Sequence, residues 1–364
     1  MPSVVIAAGG TAGHVVPALA VADALRGRGA EVSFLGAAGR AESEIVPDAG
    51  YEIELLKLRG LDRGHPIRAA GALGLAAAAV PAARRAIRER EADAVLGGGG
   101  YVAAPAGLAA LSVGLPLVLT EADRHLGMTN RLLARRARRV CLAFPIDGRQ
   151  GERYVVTGRP GPAAVGRADR AAARQRFAIA ANARCLLVFG GSQGARSINL
   201  AALDAFIADG AEPRAFHVLH ISGARDYPEA RARIEAEGRV GRYTLVEYED
   251  GLADALAASD LVLARAGGSI FEIAAAGRPA ILVPYPHASG RHQHANAEWM
   301  AAAGAAIVLE DAELDPRRLR ALATTLLGDP ARLAEMAAAS RALARPDAAD
   351  RVAEELLAAI RQPS

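Results

Sequence analysis

A glycine-rich turn that ends in a histidine stands near the start of the chain. Residues 9–14 read Gly-Gly-Thr-Ala-Gly-His, and they separate an apolar run at residues 3–8 from a segment with apolar residues at helical spacing. A turn from a strand into a helix presents backbone N–H groups and the positive end of the helix dipole to a ligand. The pattern therefore predicts an anion site, with His14 in the first helical turn as a candidate proton acceptor.

Three further glycine-rich turns follow apolar runs of the same kind. They lie at residues 97–100, 190–194 and 266–268. The turn at 190–194, Gly-Gly-Ser-Gln-Gly, repeats the strand–glycine–helix order of the first turn. Because ligands of open α/β sheets bind beyond the carboxyl ends of the strands, we expect these turns to carry the binding sites. The alternative is that the glycines of some of the four turns only allow a tight turn of the backbone.

The main alternative for the first turn is a dinucleotide-binding fingerprint. That motif requires G-x-G-x-x-G and an acidic residue at the end of the second strand. Here the glycines fall as G-G-x-x-G, and the only acid of the second apolar run, Glu31, stands at its wrong end. The spacing favours a phosphate-bearing ligand other than a nicotinamide dinucleotide.

The elements that hold these turns alternate along the chain. Apolar strand-like runs alternate with helical patterns, which is typical of parallel sheets covered by helices on both faces. The 364 residues and two strand–glycine–helix starts predict two Rossmann-like domains, at 1–158 and 159–346, that face a shared cleft. A helix with one apolar face follows at 347–362, and we expect it to cross back and pack on the first domain.

Composition narrows the class of protein. The chain is 52% hydrophobic and 23% charged with a net charge of +3, which permits an anionic substrate or a lipid surface. No basic cluster with interleaved aromatic residues supports a nucleic-acid role. Cys141 and Cys185 stand far apart in apolar runs, as buried thiols of a reducing compartment do. Without a signal peptide or a membrane-spanning apolar run, the sequence predicts a cytoplasmic protein.

Four motifs resemble one enzyme family in their order and spacing. They are GGTAGHVVPALAVADAL, GGGGYVAAPAGLAA, GGSQGARSIN and EIAAAGRPAILVPYP followed by HQHANAEWM. Over nearly the whole chain they resemble the MurG family of N-acetylglucosaminyl transferases of peptidoglycan synthesis. The resemblance implies an α/β protein of GT-B fold that uses UDP-N-acetylglucosamine as donor. The implied acceptor is undecaprenyl-pyrophosphoryl-N-acetylmuramoyl-pentapeptide (lipid I), and the implied product is lipid II.

The resemblance also implies roles for residues of the motifs. The implied catalytic residues are His14, as general base or as a positioning residue, and Glu121. The implied donor-binding residues are Thr11, Ala12, Gly13, Asp123, Gly191, Ser192, Gln193, Glu249, Gly267, Gly268, Ser269, Glu272, His292, Gln293 and Asn296. The implied acceptor-binding residues are Gly9, Gly10, Gly98, Gly99, Gly100 and Tyr101.

Two of these residues have a simpler interpretation that stays open. His14 can cap its own turn without taking part in chemistry. Glu272 is expected to accept hydrogen bonds from ribose hydroxyls, but a carboxylate in the first turn of a helix also stabilises that helix.

The sequence predicts neither a metal nor a cofactor. It has no D-x-D pair, the usual metal-diphosphate ligand of other glycosyltransferases. His292 and His294 are spaced like a metal pair, but no third ligand stands at a suitable distance along the chain. We therefore expect N–H groups at helix N-termini to stabilise the leaving diphosphate.

Three donor-site positions depart from the family pattern. TEAD replaces HEQN, which puts Asp123 in place of an asparagine, and His292 replaces one glutamine of a pair. GRPGP replaces GNPVR, which puts Pro162 in place of an arginine that contacts the nucleotide base. Arg159 and Arg167 are candidates to contact the nucleotide base instead.

Three alternative functions stay open. They are a GT-B transferase with another lipid or small-molecule acceptor, an isomerase of the UDP-N-acetylglucosamine epimerase type, and a non-catalytic nucleotide-sugar-binding protein.

Residues 59–85 form an apolar, weakly amphipathic segment flanked by arginines. Such a segment can lie on an anionic membrane surface, and it can equally be a packed helix. Together with the resemblance, it predicts a peripheral enzyme at the cytoplasmic face of the plasma membrane, without a transmembrane segment. Proteins of cell-wall synthesis are the candidate partners.

Overall fold

The computed structural model describes the chain apart from residues 61–64, 163, 192–193, 208–214, 239–240, 250, 289–290 and 362–364, and apart from the side chains of residues 12 and 66–70. The chain divides into two compact units. Unit 1 comprises Met1–Pro162 and Arg345–Ser364, and unit 2 comprises Ala163–Ala344.

Unit 1 is built, in its described part, on seven parallel strands. They are β1 (Ser3–Ala7), β2 (Glu31–Ala37), β3 (Glu52–Leu56), β4 (Ala94–Gly97), β5 (Leu117–Glu121), β6 (Arg139–Leu142) and β7 (Tyr154–Val156). They pair in the order β3-β2-β1-β4-β5-β6-β7. Helices on both faces explain why a central strand such as β1 is an unbroken apolar run, with Val4, Val5 and Ile6 fully buried.

Five helices of unit 1 connect these strands in the described residues. They are α1 (Ala12–Arg26), α2 (Glu42–Asp48), α3 (Pro66–Glu89), α4 (Ala103–Ser112) and α5 (Met128–Leu133). Helix α1 begins after Thr11, whose extended backbone makes it the N-cap residue, and it buries Val15, Val21 and Leu25 along one face. None of the described helices is both long and apolar enough to cross a membrane.

The described residues of unit 2 form a second parallel sheet, of six strands. They are β8 (Arg184–Phe189), β9 (Phe216–Ile221), β10 (Tyr243–Val246), β11 (Leu261–Ala264), β12 (Ala280–Leu282) and β13 (Ala306–Val308). They pair in the order β10-β9-β8-β11-β12-β13. The helices are α6 (Arg170–Arg176), α7 (Arg196–Phe206), α8 (Tyr227–Glu237), α9 (Ala253–Ala258), α10 (Ile270–Ala275), α11 (His292–Ala302), α12 (Pro316–Leu327) and α13 (Pro330–Leu343), with a 3-10 turn at Asp311–Glu313.

The last helix, α14 (Ala348–Arg361), returns to unit 1. It packs on α1 and on β4, β5 and β6, and buries Val352 and Leu356 completely. The Arg28 guanidinium at the end of α1 pairs with Asp350 at 2.6 Å. The predicted pair of Rossmann-like folds and the returning C-terminal helix are confirmed.

Candidate active site

The first glycine turn joins β1 to α1. Gly10 has a φ of +94°, a conformation that favours glycine. Its N–H donates to the two carboxyl oxygens of Glu42, at 2.9 and 3.1 Å. This N–H group of the turn is therefore not open to a ligand, because the fully buried carboxyl group of Glu42 accepts its hydrogen bond. The predicted anion site stays a prediction for the rest of the turn.

His14 lies in the first turn of α1, three residues after the N-cap residue Thr11. Its Nδ1 is 3.2 Å from the Thr11 hydroxyl, and an Nδ1–H that donates to this oxygen leaves the lone pair on Nε2. The imidazole packs on the backbone of Gly99, where an added Cβ would lie 2.6 Å from His14 Cδ2. Thr11 and Gly13 are exposed, and only the backbone of Ala12 is described.

The surroundings of His14 lower its pKa below the ordinary value. Burial is the largest cause, and the charge of the Arg159 guanidinium, which donates to the Gly13 carbonyl at 2.7 Å, is the second. The carboxylates of Asp123 and Glu42 act in the opposite direction. His14 is therefore neutral near pH 7, the form that can accept a proton.

Arg159 thus belongs with the His14 turn in unit 1. Its suggested role at the nucleotide base has no support from this contact. Pro162 ends unit 1, and the second candidate, Arg167, is exposed in unit 2.

The second glycine turn, after β4, touches the first. Gly99 and Gly100 have φ angles of +102° and +75°. A Cβ on Gly100 would lie 2.1 Å from the carbonyl oxygen of Gly9, so neither turn has room for a side chain here. Gly98 precedes them, and the ring of Tyr101 packs beside the first turn with its hydroxyl buried. The structure brings the predicted acceptor-binding residues together in unit 1.

Glu121 ends β5 and holds the loop that follows. It is 7% exposed, and its oxygens accept hydrogen bonds from the N–H groups of Asp123 at 3.1 Å and Gly127 at 2.7 Å. The Asn130 amide donates a third, at 2.9 Å. Burial raises the pKa of Glu121 in spite of these donors. The contacts give Glu121 a positioning role for Asp123, and its implied catalytic role stays a prediction.

The glycine turn of unit 2 runs from residue 190 to residue 194, between β8 and α7. Gly191 and Gly194 have φ angles of +96° and +72°, and the Gly191 carbonyl accepts the Gly194 N–H at 2.9 Å. A Cβ on Gly190 would lie 2.1 Å from the nitrogen of the α7 N-cap residue, so Gly190 lies directly against the start of α7. Ser192 and Gln193, predicted to bind the donor, lie outside the described residues.

The fourth turn joins β11 to α10. Gly267 and Gly268 are half-buried, Ser269 is the N-cap residue of α10, and Glu272 lies half-buried in its first turn. This placement suits both interpretations of Glu272, ligand binding and stabilisation of the helix.

Two side chains of α11 support this region. The Asn296 amide donates to the Ala266 carbonyl at 3.0 Å, and Asn296 is only 5% exposed. Gln293 Oε1 accepts the N–H of Tyr285 at 2.9 Å. Asn296 therefore holds the backbone of the glycine turn, and Gln293 holds the backbone that follows β12.

Two other predicted donor residues differ in their surroundings. The Glu249 side chain is 5% exposed and accepts hydrogen bonds from Arg176 at 2.6 and 2.9 Å, so the structure gives its carboxylate another partner. His292 opens α11, and His294 Nε2 lies 3.0 Å from a Glu310 oxygen. Within the described ranges, no three His, Cys, Asp or Glu side chains form a group that could hold a metal ion.

Glu42 was not predicted from the sequence. The dinucleotide fingerprint requires an acidic residue at the end of β2, whereas Glu42 lies beyond Ala37 as the first residue of α2. The available signal was Gly36, since a glycine inside a buried strand marks the close approach of another group.

Two family descriptions match most of the chain. Residues 4–142 match the glycosyltransferase family 28 N-terminal domain, and residues 185–352 match the glycosyltransferase family 28 C-terminal domain. A protein of Halorhodospira halophila is 45% identical over 354 residues, 96% of each chain. It is named UDP-N-acetylglucosamine–N-acetylmuramyl-(pentapeptide) pyrophosphoryl-undecaprenol N-acetylglucosamine transferase.

Solved structures show the same likeness. Acinetobacter baumannii MurG superposes with a TM-score of 0.76 and 31% identity, over 98% of this chain and 100% of that chain. A UDP-N-acetylglucosamine 2-epimerase of Neisseria meningitidis has a TM-score of 0.69 over 98% and 100% of the chains, but its 16% identity shows the fold alone. By its identity to these transferases along almost its whole length, the chain belongs to the MurG family, within glycosyltransferase family 28.

Proposed function

We propose that this protein transfers N-acetylglucosamine from UDP-N-acetylglucosamine to the muramoyl O4 hydroxyl of undecaprenyl-pyrophosphoryl-N-acetylmuramoyl-pentapeptide, which converts lipid I to lipid II in peptidoglycan synthesis. The 45% identity to a relative named for this transfer carries the proposal. The neutral imidazole of His14 beside two interlocked glycine turns is the arrangement that supports it in unit 1.

His14 acts on the acceptor in this proposal. Its Nε2 takes the proton of the muramoyl O4 hydroxyl, while the Thr11 hydroxyl accepts a hydrogen bond from Nδ1–H and fixes the ring. The O4 oxygen forms a bond to C1 of the donor sugar, and the bond from C1 to the diphosphate breaks. Attack on the face opposite the leaving group inverts the configuration at C1.

The leaving UDP keeps the bonding electron pair on a diphosphate oxygen. We assign its stabilisation to N–H groups at the starts of α7 and α10 in unit 2, without a metal ion. We propose that Glu272 binds the ribose hydroxyls and that Gly191, Ser192, Gln193, Gly267, Gly268 and Ser269 are the residues that bind the diphosphate. The absence of a D-x-D pair from the sequence supports the metal-independent route.

We also propose that the protein acts at the cytoplasmic membrane surface, where its lipid acceptor is held. Helix α3 supports this, because Leu73 is 59% exposed and lies on the same side of the helix as Arg84 and Arg88. Residues 61–64 of the segment predicted for this role lie outside the described residues.

A transfer assay tests the proposal. Purified protein receives labelled UDP-N-acetylglucosamine and a short-chain lipid I analogue in the presence of EDTA, beside the variants His14→Ala and Glu272→Gln. Glu298→Gln, an exposed position on α11, is the matched control for charge loss. We expect wild-type activity with EDTA, a loss of about a hundredfold or more in kcat for His14→Ala, and a donor KM raised roughly tenfold or more for Glu272→Gln. Donor binding without disaccharide formation in the wild type would contradict the proposal.

A further inference from the structure

A buried acidic residue that the mechanism above does not use lies under the first glycine turn. Glu42 is fully buried at the start of α2. Its Oε2 accepts the Gly10 N–H at 2.9 Å, and its Oε1 accepts the Ala37 N–H at 3.0 Å and lies 3.1 Å from the Gly10 nitrogen. One carboxyl group therefore ties the end of β2 to the turn that precedes α1.

Two glycines leave the space that this side chain occupies. A Cβ on Gly9 would lie 2.1 Å from Glu42 Oε1, and a Cβ on Gly36 would lie 2.8 Å from Glu42 Cγ. Contacts this short force a neighbour to move. Gly9 and Gly36 thus belong to one arrangement with Glu42, although they stand on different segments of the chain.

The contact between Glu42 and the turn constrains the residues that follow Gly10 in the sequence. Gly10 is held at a φ of +94°, Thr11 comes next as the N-cap residue of α1, and its hydroxyl contacts His14 Nδ1. The Gly10 N–H is also withdrawn from any ligand while Glu42 accepts it. We infer that Glu42 is a positioning residue, whose carboxyl group fixes the Gly9–Gly10 turn and through it the Thr11–His14 pair. The inference rests on the proposed role of His14 in transfer.

The charge of Glu42 also affects the pKa of His14, and this effect can be separated from the positioning of the turn. The charged groups that act on His14 are Arg159, which lowers its pKa, and Asp123 and Glu42, which raise it. Removal of the Glu42 charge therefore moves the pKa of His14 further down. A side chain that merely fills space would leave the titration of His14 unchanged.

Two variants separate position from charge. Glu42→Gln removes the charge and one of two acceptor oxygens, and Glu42→Asp keeps the charge but shortens the reach by one methylene. Glu44→Gln, exposed in the same turn of α2, is the matched control. The measurements are kcat and donor KM between pH 5 and pH 9, UDP affinity by calorimetry, thermal melting, and the His14 pKa by NMR titration.

We expect both Glu42 variants to lose about tenfold or more in kcat, with donor KM and UDP affinity within about twofold of the wild type. In Glu42→Gln alone, the NMR pKa of His14 and the acid limb of the kcat profile move to lower pH. Glu44→Gln behaves as the wild type throughout.

An unchanged kcat in both folded Glu42 variants would overturn the inference, whatever the His14 titration shows. The inference would also be overturned if UDP affinity, or the fraction of folded protein, fell by the same factor as kcat. Glu42 would then only stabilise the fold. If the wild type and Glu44→Gln both lack transfer activity, the proposed function fails. The NMR spectra need no activity and then decide the Glu42 inference alone. Chemical shifts of the His14 ring that stay unchanged in both Glu42 variants would reject it, because the Thr11–His14 contact would not depend on Glu42.

Discussion

At the scale of single residues, two charges around His14 depart from the family pattern quoted above. Asp123 and Arg159 stand where the family pattern HEQN and GNPVR has asparagines, and both act on the pKa of His14, in opposite directions. One negative and one positive charge thus replace two neutral side chains beside the proposed base. A base that must be neutral loses activity as the pH falls through its pKa, so these charges set the acid limb of the profile.

The first prediction follows from the signs of these charges. Arg159→Gln removes a positive charge, raises the pKa of His14 and moves the acid limb of kcat to higher pH. Asp123→Asn lowers the pKa of His14 and moves the limb to lower pH, and the double variant lies between the two. The measurement is kcat from pH 5 to pH 9, with Arg135→Gln, exposed in unit 1, as control. Acid limbs that coincide in all variants would contradict the assignment of His14 as the base.

The second prediction concerns Gly99, whose φ of +102° and contact with the His14 ring leave no room for a side chain. Gly99→Ala is expected to lower transfer activity at least tenfold, because the added Cβ displaces the imidazole. Gly114→Ala is the control: its φ is +76°, but an added Cβ there meets open space. Both variants lose about 1–2 kcal/mol of stability from backbone strain, and only Gly99→Ala loses activity. Equal activity of the two in the transfer assay would show that His14 does not depend on this contact.

At the scale of elements, the strands were predictable and the links between distant segments were not. Parallel strands covered on both faces are continuous apolar runs, which sequence shows directly. The predicted strand at residues 3–8 is β1, Ser3–Ala7. The contacts Glu42–Gly10 and Arg159–Gly13 join residues 32 and 146 positions apart, and no local pattern reports such a pair. The site could therefore be placed on its turns, but the groups that tune His14 required the structure.

The third prediction concerns the contribution of helix α14 to the stability of unit 1. Leu356 is fully buried between α14 and the sheet of unit 1, whereas its neighbour Leu357 is half-buried. Leu356→Ala is expected to cost about 2–5 kcal/mol of stability, and Leu357→Ala clearly less. Thermal and denaturant unfolding measure both, with UDP affinity expected to stay unchanged below the melting temperature. Equal loss in the two variants would contradict the packing of α14 described here.

At the scale of the whole molecule, a net charge of +3 and the exposed Leu73 of α3 suit an anionic membrane surface. The variant Leu73→Ser is expected to bind vesicles with phosphatidylglycerol about tenfold or more weakly, since a buried leucine contributes about 1.5–3 kcal/mol. Co-sedimentation measures this, and binding should also weaken as salt rises. Tyr248→Ser, exposed in unit 2, is the control. Unaltered binding of Leu73→Ser would contradict a membrane contact through this side of α3.

The most direct test of the proposed function is the structure of the product. The wild-type protein is incubated with UDP-N-acetylglucosamine, a short-chain lipid I analogue and EDTA, and the products are analysed by NMR and mass spectrometry. The account predicts one UDP for each disaccharide, with a β linkage from C1 of N-acetylglucosamine to O4 of the muramoyl group. UDP release without disaccharide, an α linkage, or conversion of the donor to its 2-epimer would contradict it.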